Sequence, residues 1–132
     1  MREGRLVVVG DALLDRDVDG KAERLAPDAP VPVVDNPEWR ARPGGAALAA
    51  ALAAADGRPV TLVTALGEDP AGRTVRLLLE ECGVQVHDLG LRGRTPEKVR
   101  VCAEGRPVVR MDLGGEPGEV GPATSGTGAL LE

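Results

Sequence analysis

Asp15, Gly44 and Gly45 are the residues of this chain whose types and positions point most directly to chemistry. Gly44 and Gly45 stand inside Arg42-Pro43-Gly44-Gly45-Ala46-Ala47, where a Pro-rich, strand-like region gives way to an Ala-rich helix. Paired glycines let the backbone turn sharply and let a ligand come up against the main chain. The first amides of the helix have no intrahelical partner and point outward. Such a junction suits a phosphate or a polyhydroxylated ligand. Asp15 lies five residues beyond Gly10, where a first strand stops. Open α/β sheets bind ligands beyond the C-terminal ends of their strands. Asp15 is therefore either a carboxylate at that mouth or one charge of a solvated polar strand.

The run Asp15-Arg16-Asp17-Val18-Asp19-Gly20 also matches the first six positions of a calcium loop. The twelfth position should be Glu and is Ala26, and no helix flanks the run. No metal site is expected.

The elements that must position these residues follow from composition and pattern. The chain has 132 residues, enough for one domain with a core. It is 42% hydrophobic but holds one Trp, no Tyr and no Phe, so Val, Leu and Ala must build that core. The net charge is −5, and with no aromatic platforms nucleic acid is not an expected partner. No apolar run approaches the about 20 residues of a membrane span, and no signal-peptide pattern opens the chain. Cys82 and Cys102 match no zinc or redox spacing and read as reduced cysteines of a cytoplasmic protein.

Leu6-Val7-Val8-Val9 reads as a strand buried on both faces. The Gly10-Asp11-Ala12-Leu13-Leu14-Asp15 that follows lacks the glycine fingerprint of a dinucleotide fold, which excludes an oxidoreductase of that type. Pro27, Pro30, Pro32 and Pro37 forbid a helix over 17–41 and favour edge strands. That region reads as a β excursion of short pieces, with Trp39 as its packing anchor or as a contact to a partner or substrate. A helix over Ala46–Ala55, Ala-rich on every side, is expected to be buried. A strand over Val60–Leu66 follows, then a helix to about Glu81 with Val75, Leu78, Leu79 and Cys82 on one face. A third strand spans Val84–Leu89, and its lone His87 reads as structural. Lys98–Ala103 and Val108–Leu113 form a hairpin with one wet face. The Gly/Pro-rich stretch 114–132 reads as a linker or tail. The order β, excursion, α, β, α, β is that of a doubly wound α/β fold.

With these residues in view, the chain resembles the ribokinase/PfkB family of carbohydrate kinases over about residues 5–113. The pattern is most similar to the heptose 7-phosphate kinase branch. Val9-Gly10-Asp11, Leu14-Asp15-Arg16 and Leu25-Ala26-Pro27-Asp28-Ala29-Pro30-Val31-Pro32-Val33 carry the likeness. So do Arg42 to Ala47, then Gly67, Asp69 and Gly72, then Lys98-Val99-Arg100-Val101 and Arg110-Met111-Asp112. The resemblance implies a three-layer α/β/α sheet with a small β lid, of which 1–113 would be the N-terminal half. Residues 17–41 and 97–113 would form the lid. It further implies ATP-dependent phosphorylation of a sugar or sugar phosphate, with ATP and Mg2+ as cofactors, and a homodimer formed lid to lid. Carried over by position, Asp15 would bind sugar hydroxyls, and Gly44 and Gly45 would meet the sugar with their backbone.

Two departures qualify the carry-over. Leu48 stands where the family usually has a sugar-binding Asn, so one donor and one acceptor are gone. The family's Gly-Ala-Gly-Asp motif, which supplies the catalytic base, is absent; Gly126-Thr127-Gly128-Ala129 lacks the Asp. No catalytic residue is therefore assigned, and the isolated chain is expected to be inactive and unfinished as a fold. The alternative is a truncated, non-catalytic module that binds a sugar or dimerises through its lid.

Overall fold

The computed structural model describes residues 4–132. In chain order they form β1 (Leu6–Val9), β2 (Ala12–Leu25), β3 (Pro32–Gly45), α1 (Ala46–Ala55), β4 (Val60–Thr64) and α2 (Pro70–Glu81). β5 (Gln85–Asp88), β6 (Leu91–Arg92), β7 (Glu97–Ala103), β8 (Arg106–Leu113), β9 (Glu119–Val120) and α3 (Ser125–Leu131) complete the chain.

β1, β4 and β5 lie in that order in a parallel sheet. Leu6, Val8, Val60, Leu62 and Val86 turn to one face and meet Ala47 and Ala50 of α1 and Val75 and Leu79 of α2. Each fully buried Leu or Val contributes about 1.5–3 kcal/mol. His87 alternates to the opposite face, where its Nε2 lies 2.7 Å from Thr127 Oγ1 of α3. Helices therefore stand on both faces of the sheet, in three layers. Only β4 is buried along its whole length. β1 and β5 are both edges, and Val9 remains exposed.

Local signals explain the helix ends. Asp69 accepts the Gly72 amide at 2.7 Å and Pro70 opens α2, a favourable cap and first turn. Gly57 closes α1 at φ 84°, a conformation that costs other residues dearly.

The second sheet has the order β3-β2-β7-β8, with β2 and β7 parallel and the outer pairs antiparallel. Here the expected short strand pieces are corrected. β2 and β3 are two continuous strands of 14 residues each, and they rise directly from β1 at Ala12. β3 tolerates Pro32, Pro37 and Pro43 because it is the sheet's edge, where alternate N–H groups have no ladder partner. The D-x-D-x-D-G run is part of β2, so its carboxylates project along a strand rather than converge in a loop.

Three further expectations change. α1 is not buried on every side: Ala47 and Ala50 are, but Leu52 is 62% exposed. On α2, Val75 and Leu79 are buried while Cys82 is exposed. Within the stretch read as a linker, β9 pairs with β6 and α3 carries a Thr124–Thr127 capping box. That cap offsets the poor helix propensity of Gly126 and Gly128.

Candidate functional site

β2 alternates, and the alternation sorts the lid into two unlike faces. Arg16 and Val18 point one way with Trp39, Ala41, Val99, Val101, Val109 and Met111, as the cross-strand pairing dictates. That face is mostly apolar. Asp15 and Asp17 point the other way with Arg40, Arg42, Lys98, Arg100, Arg110 and Asp112. That face is a lattice of charge.

Asp15 stands at the root of the polar face. It belongs to β2, four strand residues beyond the end of the turn, and not to the mouth of β1 itself. Although charged, it is only 7% exposed. Its Oδ1 accepts from Arg100 Nη1 at 2.9 Å. That hydrogen bond pushes the Arg100 guanidinium above its ordinary pKa, burial opposes it, and the charges of Asp15, Asp17 and Asp112 add to the rise. Arg42 lies directly opposite Asp15 but gives its Nε and Nη2 to Asp17, at 2.9 and 3.4 Å.

Gly44 meets Asp15 from the neighbouring strand. A methyl group placed on Gly44 would lie 2.6 Å from Asp15 Oδ2 and would also strike Leu13 Cδ1. The glycine is what leaves room for the carboxylate. Gly45 sits at φ 60°, and a side chain there would meet the Asp11 carbonyl at 2.6 Å. The same carbonyl accepts the Ala46 amide at 2.9 Å, which fixes where α1 begins. Asp15 and Gly44 are thus brought together, and Gly45 serves the turn beside them. Leu48 lies in the first turn of α1, half-buried.

Arg100 is the residue of this cluster that sequence reasoning did not single out. It belonged to a strand motif, and its contact with Asp15 spans 85 positions. The alternation of Lys98 and Arg100 with Val99 and Val101 put it on a wet face but could not say which carboxylate it meets.

A cleft of about 730 Å³ lies elsewhere, beyond the ends of β4 and β5, and neither Asp15 nor Gly44 lines it. A second, of about 350 Å³, opens under the apolar lid face between Arg16, Trp39, Arg94 and Met111. Asp15 and Gly44 line neither of these clefts. A buried carboxylate held by a guanidinium beside a bare main chain can accept hydroxyl hydrogen bonds without competing water.

A parallel sheet flanked by helices, with a four-stranded lid rooted beside the first strand, is the ribokinase-like arrangement. The chain belongs to the pfkB family of carbohydrate kinases, whose family model matches residues 3–116. It is 62% identical over 119 residues to the bifunctional protein HldE of Streptomyces coelicolor, covering 90% of this chain and 25% of that protein. It is 39% identical over 112 residues to the bifunctional protein HldE of Coxiella burnetii, covering 84% of this chain and 24% of that one. Among solved structures, a carbohydrate kinase from Agrobacterium tumefaciens superposes with a TM-score of 0.67 at 25% identity, over 83% of this chain and 35% of that one. The chain thus spans about a quarter of the length of the curated relatives it matches.

Proposed function

We propose that this chain supplies the sugar-binding wall and the lid of a kinase that transfers the γ-phosphoryl group of ATP to a sugar or sugar phosphate. The observation that carries the reading is the meeting of the Asp15 carboxylate with the main chain at Gly44. Asp15 accepts hydrogen bonds from sugar hydroxyls, and Gly44 gives that carboxylate its room beside the main chain. ATP and Mg2+ are the cofactors of the complete reaction, and no residue identified here is assigned to hold them. Phosphoryl transfer also needs a positioned base and charge neutralisation at the phosphates. The matched relatives are about four times as long, so those groups belong to sequence outside this stretch of the family.

The polar lid face covers the sugar, and the apolar face pairs with the same face of a second copy. Trp39, at 61% exposure, with Val109 and Met111 half-exposed beside it, supports that pairing. The second reading is a sugar-binding or dimerisation module without catalysis, in which Asp15 beside Gly44 and the exposed apolar lid face act alone.

Calorimetric titration of the chain with sugars, sugar phosphates and ATP separates the readings. Sugar binding that Asp15→Ala abolishes supports the site. Equal binding by the variant removes it. Sugar binding without ATP binding favours the module for this polypeptide on its own.

A further inference from the structure

We infer that Arg100 is the positioning residue of this site: it holds one oxygen of Asp15 so that the other faces the ligand beside Gly44. The inference rests on the reading of Asp15 as a sugar-binding carboxylate.

Three cations surround Asp15 on the polar lid face. Arg42 and Lys98 are its direct cross-strand neighbours, on β3 and β7. Arg100 reaches it diagonally. Arg42 is committed to Asp17 through two hydrogen bonds. Arg110, opposite Arg100, is committed to Asp112 at 2.8 Å. Among the described residues Arg100 is the one cation ion-paired with Asp15, at 2.9 Å. Asp17, directly across from Arg100, is held by Arg42, and Arg100 reaches past it to the buried carboxylate.

The consequence is directional. The two oxygens of a free carboxylate exchange by rotation about the Cβ–Cγ bond. A guanidinium on Oδ1 stops that exchange and leaves Oδ2 beside the main chain of Gly44, 2.6 Å from where a Cβ would stand. A hydroxyl then meets an acceptor of fixed direction, and the cost of ordering it is met before the ligand arrives. Arg100 comes from the second lid hairpin, so the geometry of a wall built on β2 and β3 is set by β7.

The test is a double-mutant cycle on the full chain. Asp15→Asn, Arg100→Gln, their combination and Arg100→Lys are titrated with mannose, ribose, fructose and their terminal phosphates. Each single change is expected to weaken the best-bound sugar about tenfold, the effect of losing one charge-assisted hydrogen bond. The double variant should bind no more weakly than Asp15→Asn, and Arg100→Lys should recover part of the loss. Losses that multiply overturn the inference, because Arg100 then acts independently of Asp15. Full affinity in Arg100→Gln with a weakened Asp15→Asn overturns it too, and leaves the sugar site standing. Unchanged affinity in Asp15→Asn, or no binding by the unaltered chain, removes the sugar reading and the inference with it. If Arg100→Gln does not fold, arginine side-chain NMR of the free chain decides. Slow guanidinium rotation at Arg100 that is lost in Asp15→Asn supports the inference. Free rotation in the unaltered chain overturns it.

Discussion

The backbone amide of Thr95 donates to Oδ2 of Asp69 at 2.8 Å, while Oδ1 of the same carboxylate takes the Gly72 amide at 2.7 Å. Thr95 is buried, and its hydroxyl accepts the Gly67 amide at 2.9 Å. One carboxylate therefore caps α2 and holds Thr95, two residues before β7. Replacing it removes the cap and strands two amides. Asp69→Ala should cost about 1–3 kcal/mol of stability. Urea unfolding measures this. A variant as stable as the parent would show that the node holds nothing.

Asp69 also sets an expected pH dependence. Burial pushes its carboxyl up, but the amides of Thr95 and Gly72, the Thr95 hydroxyl and the Arg94 charge outweigh it, so the pKa falls below its ordinary 3.8. A group lowered by folding stabilises the folded state above its unfolded pKa. That contribution is expected in full at neutral pH and should fade as the pH drops through 3.8 and below. Melts of the parent between about pH 6 and 3 should fall faster than those of Asp69→Asn. Parallel curves would refute the assignment.

The elements with strong local signals could be read from the sequence. Leu6 to Val9 and the alanine helix ending at Gly57 announce themselves through period and glycines, whereas Gly67 to Gly72 reads as a turn although α2 already begins at Pro70. The lid strands were harder. Pro32 and Pro37 argue for interruption, and only the edge position of β3, a long-range fact, removes the objection. Gly44 shows the same limit at the site. Its glycine suggests close approach, but the group that approaches it in the structure is Asp15, paired through a register no sequence window contains. Leu52 misled because a helix apolar all round reads as buried, whereas α1 has one face against the sheet and one open.

That contrast gives a paired expectation on the two helices. Leu79 is fully buried against the sheet, and Leu79→Ala should cost about 2–5 kcal/mol. Leu52→Lys should change stability by no more than about 0.5 kcal/mol, because its side chain is already in water. It should also raise the concentration at which the chain stays in solution. A large loss in Leu52→Lys would mean that something covers the outer face of α1.

Gly44→Ala tests the wall itself. The added methyl meets Asp15 Oδ2 and Leu13 Cδ1, and neither can retreat without disturbing the Arg100 pair or the packing beneath it. Overpacking of this kind costs about 1–3 kcal/mol. Sugar affinity should fall with it, and Arg100 should lose its hold on Asp15. Gly44→Ala with unaltered melting and unaltered sugar binding would show that the close approach has no energetic weight.

The last expectation concerns association. The three-stranded sheet has two free edges, and Trp39, Val109, Met111 and Leu113 lie open on one face of the lid. Exposed apolar surface and unpaired edges favour self-association. A stable interface of ordinary size buries about 800 Å² on each partner, an area a four-stranded face can supply. Light scattering after size exclusion should give the mass of two chains. Trp39→Glu places a carboxylate on the edge strand of that face and should shift the population to monomer, while Leu52→Glu, on the outer side of α1, should not. If the unaltered chain elutes as a monomer and melts cooperatively, neither the lid contact nor the open sheet edges govern its behaviour. If Leu52→Glu dissociates it instead, the contact runs through α1 and the lid face is free.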